Sequence, residues 1–124
     1  MLHALNDIAG SVAKGARAAE KAVRHFASYA RSSPGAVARL KASGMRLAGD
    51  SDAAYLAAPE ARSRAGGYHY CTENAGEQFN GPIHVMAKVI KNVMASAMEA
   101  EIAAMFMNAR LMVEYGTPTA PYSD

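Results

Sequence analysis

The chain has 124 residues, of which 51% are apolar and 19% charged, enough for one compact domain but not two, and too apolar for a disordered chain. A single cysteine, Cys71, excludes an internal disulfide framework and a cysteine-based zinc site, and no apolar run approaches the roughly 18 to 20 residues that cross a bilayer. The net charge of +2 divides into +5 over residues 1–64 (ten Lys or Arg against five acids) and −3 over residues 65–124 (three against six), an asymmetry that fits a phosphate-bearing partner but that an Arg-bearing, Ala-rich surface helix explains more simply.

Residues 4–31 read as helical, with Ala19, Val23, Phe26 and Ala30 forming an apolar stripe. Gly10 and Gly15 weaken its first part, and Ser33-Pro34 ends it. The first thirty residues are amphipathic and basic in the manner of a transit peptide, although Asp7 and Glu20 count against that reading. From Ala36 the period changes. Val37, Arg39 and Lys41 alternate with Ala38, Leu40 and Ala42, the pattern of a short strand. Ser43-Gly44 signals a turn, Met45 to Tyr55 a second strand, and Pro59 to Arg64 a loop. Tyr68 to Thr72 is a β-prone run, residues 73–82 are a loop, and Ile83 to Val89 alternates again.

Ser96 and Glu99 have the spacing of a capping box, and the nearly all-apolar residues 97–113 follow as a long helix. A helix apolar on most sides is expected to be covered on most sides, by the sheet and the first helix. Gly116 and Pro118 end it, and residues 120–124 leave room for a short final strand. The expected architecture is α+β: an N-terminal helix, an antiparallel sheet of three to four strands, and a long apolar helix. A core made chiefly of Ala and Met, with no Trp and three Phe, is expected to be marginally stable.

Asp52, Glu101 and Asp124 come from three separate elements with apolar neighbours. Carboxylates so placed can converge on Mg²⁺, which prefers oxygen ligands and retains water, and two such ions support in-line phosphodiester hydrolysis. On spacing alone the plainer reading, each acid solvated at the end of an element, is preferred. Glu99 is explained by the capping box and Glu101 is not; Asp50 shares a strand face with Asp52. His69 and His84 fall in neighbouring strands, where two imidazoles without a third ligand suggest packing. Cys71 reads as a small buried residue. Tyr55, Tyr68 and Tyr70 fit a core better than a base-stacking surface, and Arg62, Arg64, Lys88 and Lys91 fit solvated charges better than phosphate contacts.

The stretches SDAAYLAAPEARSRAGGYHY (51–70) and NGPIHVMAKVIKNVMASAMEAEIAAMFMNA (80–109) resemble the ribonuclease H-like domain of copia-type retrotransposon polyproteins. They carry its S-D-A-x-Y-L, S-R-x-G-G, N-G-P-I and S-x-x-E-A-E motifs in order. HFASYARSSPGAVARLKAS (25–43) is similar to the helix and edge strand that precede the family's catalytic strand. The resemblance covers roughly residues 20–109; residues 1–19 form an extension without a counterpart.

This resemblance implies an incomplete ribonuclease H-like fold over residues 20–124, truncated at its C-terminus. It implies Mg²⁺ as cofactor, an RNA–DNA hybrid as partner, and hydrolysis of the RNA strand as ancestral activity, weak or lost here. Asp52, Glu101 and Asp124 become the catalytic, metal-holding acids, with Ser123 replacing the Thr of the family's T-D-N motif. Arg62, Arg64 and Lys88 become backbone contacts. The missing elements leave a sheet edge open to self-association. The alternatives are a non-catalytic interaction protein using that edge or the Met-rich helix, and a basic nucleic-acid binder without hydrolysis. The setting is intracellular, cytoplasmic or nuclear, and no membrane partner is expected.

Overall fold

The elements follow in the order α1 (Leu2–Val12), α2 (Ala16–Ser32), β1 (Arg46–Ala58), β2 (Arg62–Thr72), β3 (Pro82–Val89) and α3 (Ala97–Gly116). This computed structural model describes residues 2–12, 16–73 and 79–116. The architecture is α+β, with three helices and one open antiparallel sheet in the order β1-β2-β3. It divides into two compact units, Met1–Arg39 and Leu40–Asp124.

In the first unit, two helices stand in place of the single stretch suggested over residues 4–31. A glycine inside a helix costs about 1 kcal/mol relative to alanine, yet Gly10 is held within α1. α2 is sharply amphipathic, with Arg17, Lys21, Arg24 and Arg31 on one side and Ala19, Ala22 and Phe26 on the other. Arg24 pairs with Glu20 one turn earlier at 2.8 Å. α1 packs along it, and Ala4, Ile8, Ala22 and Phe26 line a cavity between the two helices. At the end of α2 the N–H of Ser33 still reaches Ala30 O, and Pro34 stops the helix.

The strand expected over residues 36–42 does not form, so the sheet has three strands. Alternation there marks no buried face, since Val37 and Leu40 are both exposed. A side chain satisfies the backbone instead. Asn80 Oδ1 accepts the N–H of Lys41 at 2.7 Å, and Asn80 Nδ2 donates to Lys41 O at 2.9 Å and Cys71 O at 2.8 Å. One amide thus does for Lys41 what a neighbouring strand would do.

β1 and β2 pair without interruption from Arg46↔Thr72 to Ala54↔Arg64, then shift register before Ala58↔Arg62. In the bulge Leu56 has a positive φ of 54°, and its N–H donates to Ser63 Oγ at 3.2 Å. Ser63 is fully buried, and its carbonyl accepts the N–H of Ile90 at 2.9 Å. These bonds carry Arg62, Ser63 and Arg64 into β2, so the loop expected over residues 59–64 shrinks to a turn at Pro59–Ala61. Glu60 and Ala61 both sit at positive φ, 62° and 54°, where a Cβ is unfavourable.

α3 begins as its sequence suggests. Ser96 Oγ accepts the N–H of Glu99 at 3.1 Å, and Glu99 Oε2 accepts the N–H of Ala95 at 2.6 Å. Ala100, Ala104 and Asn108, four residues apart, face β1 and β2. The core is Ala65, Met86, Ile90, Met94, Ala100 and Ala104. Within this unit the sheet covers one side of the helix, and Met98, Ile102, Met105, Phe106 and Val113 lie away from it.

The closest approach is at Gly67, where a Cβ would collide with Asn108 Oδ1. Gly67→Ala is therefore expected to destabilise the second unit by about 1–3 kcal/mol, read as a lower urea midpoint; an unchanged midpoint would show that Asn108 swings aside freely. Ala61→Gly relieves the left-handed turn and is expected to stabilise the unit by about 1 kcal/mol, read as a higher urea midpoint; a lower midpoint would refute the strain.

Candidate functional site

Asp52 lies in β1, exposed and opposite Gly66. Side chains alternate along a strand, so Asp50, Asp52 and Ala54 share one face and Gly49, Ser51 and Ala53 the other. α3 covers the second face: Asn108 bonds Ser51, and Ala53 packs against the core. Asp52 therefore points away from the helix that carries Glu101. Glu101 is exposed beside buried Ala100, in the second turn of α3. Asp124, with the final strand suggested over residues 120–124, lies outside the described residues. Among the described residues no three His, Cys, Asp or Glu form a group able to hold a metal. The carboxylates of Asp52 and Glu101 stand on opposite sides of the sheet, and as arranged they do not fit one shared Mg²⁺.

The cations are also divided. Arg62 is half-exposed and pairs with Glu60 at 2.7 Å. Arg64, two residues along the same face of β2, is buried and engaged within the protein. Lys88 is exposed on β3, opposite Ala65 and so on the helix side of the sheet. On the face away from α3, Phe79 stacks on Tyr70 at 5.1 Å and lies 5.1 Å from Tyr68, whose hydroxyl donates to Asn80 O at 2.8 Å. Tyr70 is buried there, as a core reading of the strand aromatics expects, whereas Tyr68 is half-buried and Tyr55 exposed, contrary to it. Cys71 is only half-buried.

The polar groups brought together lie beneath α3. Asn108 Nδ2 donates towards Ser51 Oγ at 3.0 Å, Gly66 O at 2.9 Å and Ala104 O at 2.8 Å. Two N–H hydrogens serve three acceptors, so the bonds are shared. Further along the same face, His69 and His84 oppose each other on β2 and β3, with ring centroids 5.6 Å apart. Tyr115 closes over them, its ring 6.2 Å from His69 and 5.5 Å from His84. No hydrogen bond of good geometry reaches either nitrogen of His69 or Nε2 of His84, although the backbones of His84 and Asn108 lie close enough to His69 to favour its charged form. The pair closes the continuous register that runs from Arg64↔Val89 to His69↔His84, and the ladder shifts only beyond it, before Tyr70↔Pro82. No spacing in the sequence signals this register; the neighbouring β-prone runs could indicate only that both histidines lie in adjacent strands.

His69 is fully buried. Burial first, and the nearby His84 second, hold its pKa below the ordinary histidine value, outweighing the pull of the His84 and Asn108 carbonyls. A proton is thus bound more readily by the unfolded chain than by the folded one. Stability contributed by neutral His69 is present above about pH 6.5, the unfolded value, and is lost as pH falls below it. Urea midpoints are expected to fall between about pH 7 and 5, with a gentler slope in His69→Phe; an identical slope in both proteins would remove His69 as the cause. No profile of a known protein family, no curated protein and no solved structure matches this chain.

Proposed function

We propose that this chain is a ribonuclease H-like segment of a copia-type retrotransposon reverse transcriptase polyprotein. On this reading it engages RNA–DNA hybrids, with the ancestral Mg²⁺-dependent hydrolysis weak or lost. The observation that carries the reading is the agreement between motif order and element order. S-D-A-x-Y-L lies within β1, S-R-x-G-G within β2, N-G-P-I at the start of β3, and S-x-x-E-A-E at the capped start of α3. Motif residues also have structural work that suits their types: Gly67 admits Asn108, Asn80 holds Lys41, and Ser96 caps α3. The separation of Asp52 from Glu101 favours binding over cleavage, because a divalent ion held by one carboxylate positions neither water nor phosphate well.

A second reading, a non-catalytic interaction module, is favoured by the exposed face of α3, where Met98, Ile102, Met105, Phe106 and Val113 run along one helix. Methionine suits such surfaces because it repacks readily. The two readings separate in one experiment. A fluorescent RNA–DNA hybrid of about 20 base pairs is expected to bind at low salt and to be released as salt rises. Cleavage in Mg²⁺ is expected to be slow or undetectable, and any cleavage present is expected to vanish in Asp52→Asn. Absence of hybrid binding at low salt, together with a mass that rises with protein concentration, would replace the first reading with the second.

A further inference from the structure

Helix α3 has two unlike faces. Ala100, Ala104 and Asn108 meet the sheet, while Met98, Ile102, Met105, Phe106 and Val113 lie on the other side, exposed together with Ala109. At 3.6 residues per turn these six positions fall within one stripe about 100° wide and about 23 Å long.

The stripe reads alike from either end. Counted outward from the point between Met105 and Phe106, Ile102 and Ala109 lie equally far, and so do Met98 and Val113. Two such helices laid antiparallel about a two-fold axis through that point set Met98 level with the partner's Val113. Ile102 then stands level with the partner's Ala109, and Met105 with the partner's Phe106. Every layer is apolar, and small Ala109 leaves room for Ile102. A two-fold contact needs a surface complementary to itself, and this order of side chains supplies one.

The flanking charges agree with the antiparallel sense. Glu99 and Arg110 are both exposed and border the same edge of the stripe, near its two ends. In the antiparallel pair each Arg110 comes within one turn of the partner's Glu99 on that edge. Glu99 Oε2 accepts the N–H of Ala95, and Oε1 can take the guanidinium. A parallel pair would hold these charges about 16 Å apart along the axis. We propose that α3 pairs antiparallel with α3 of a second copy of this chain. Burying the five large side chains removes on the order of 500 Å² per protomer, about 1,000 Å² in all, the lower limit for a specific interface. The proposal rests on the reading of α3 as an interaction surface and names its partner; hybrid binding is a separate property.

The test is sedimentation equilibrium of the full chain from about 1 to 200 µM, where the mass is expected to rise from monomer to dimer. Phe106→Glu sets two carboxylates against each other beside the two-fold axis and is expected to leave a folded monomer by circular dichroism. Orientation is read by disulfide cross-linking in Cys71→Ser. Met105→Cys is expected to link to itself. Met98→Cys, whose two copies stand about 22 Å apart along the axis, is expected to link only when mixed with Val113→Cys. Cross-linking carries the test if Phe106→Glu fails to fold. A monomer at every concentration overturns the proposal, as does a dimer untouched by Phe106→Glu or a Met98→Cys that links to itself. Anilinonaphthalene sulfonate fluorescence separates that failure from failure of the interaction reading. A monomer whose dye binding Phe106→Glu abolishes has an open face that takes a different partner; a monomer whose dye signal ignores Phe106→Glu has no open face, and both fall.

Discussion

Helix α3 lies on this sheet because almost nothing stands between them. The helix presents Ala100 and Ala104, the strands answer with Ala53, Ala65 and Gly67, and the gap left by Gly67 is filled by the carboxamide of Asn108. That amide joins β1 through Ser51 and β2 through the carbonyl of Gly66. The contact decides which sheet face is the inner one. Once Ser51 is under the helix, strand alternation turns Asp52 outward and carries His69 inward, so the character of both sites follows from a few atoms around residue 67.

Local chemistry was legible in the sequence where it depended on near neighbours. The capping of α3 by Ser96 and Glu99, the end of α2 before Pro34, and the strand around Tyr68 to Thr72 all rest on residues a few positions apart. Errors arose where a distant group supplied the missing bond. Residues 36–42 alternate like a strand, but Asn80, 39 positions beyond Lys41, takes the backbone groups that a strand partner would have used. Arg62 to Arg64 look like a charged loop, but buried Ser63 ties them to Leu56 and Ile90 and so into β2.

The candidate site was legible only in part. Sequence alone assigns Asp52 to a strand and Glu101 to a helix; it does not say which side of the strand the helix will cover, and that choice separates the two carboxylates. The opposition of His69 and His84 was hidden for a related reason. Pairing across strands is a matter of register, and the register that sets His69 against His84 is fixed along the whole run from Arg64↔Val89. β2 consequently serves two unlike surfaces, an inner one of imidazole, amide and glycine and an outer one of arginine and tyrosine.

The reach of Asn108 also bears on the order in which this unit assembles. β1 and β2 are joined by a three-residue turn, and each strand pairs with its neighbour in sequence, so the meander closes short loops at little entropic cost. Asn108 must instead find Ser51 across 57 positions and Gly66 across 42. Its carboxamide must also shed water before those acceptors are in place. Docking of α3 is thus the late, non-local step of folding. Until it occurs, the glycine-lined inner face is wetted and His69 is not yet shut away from water.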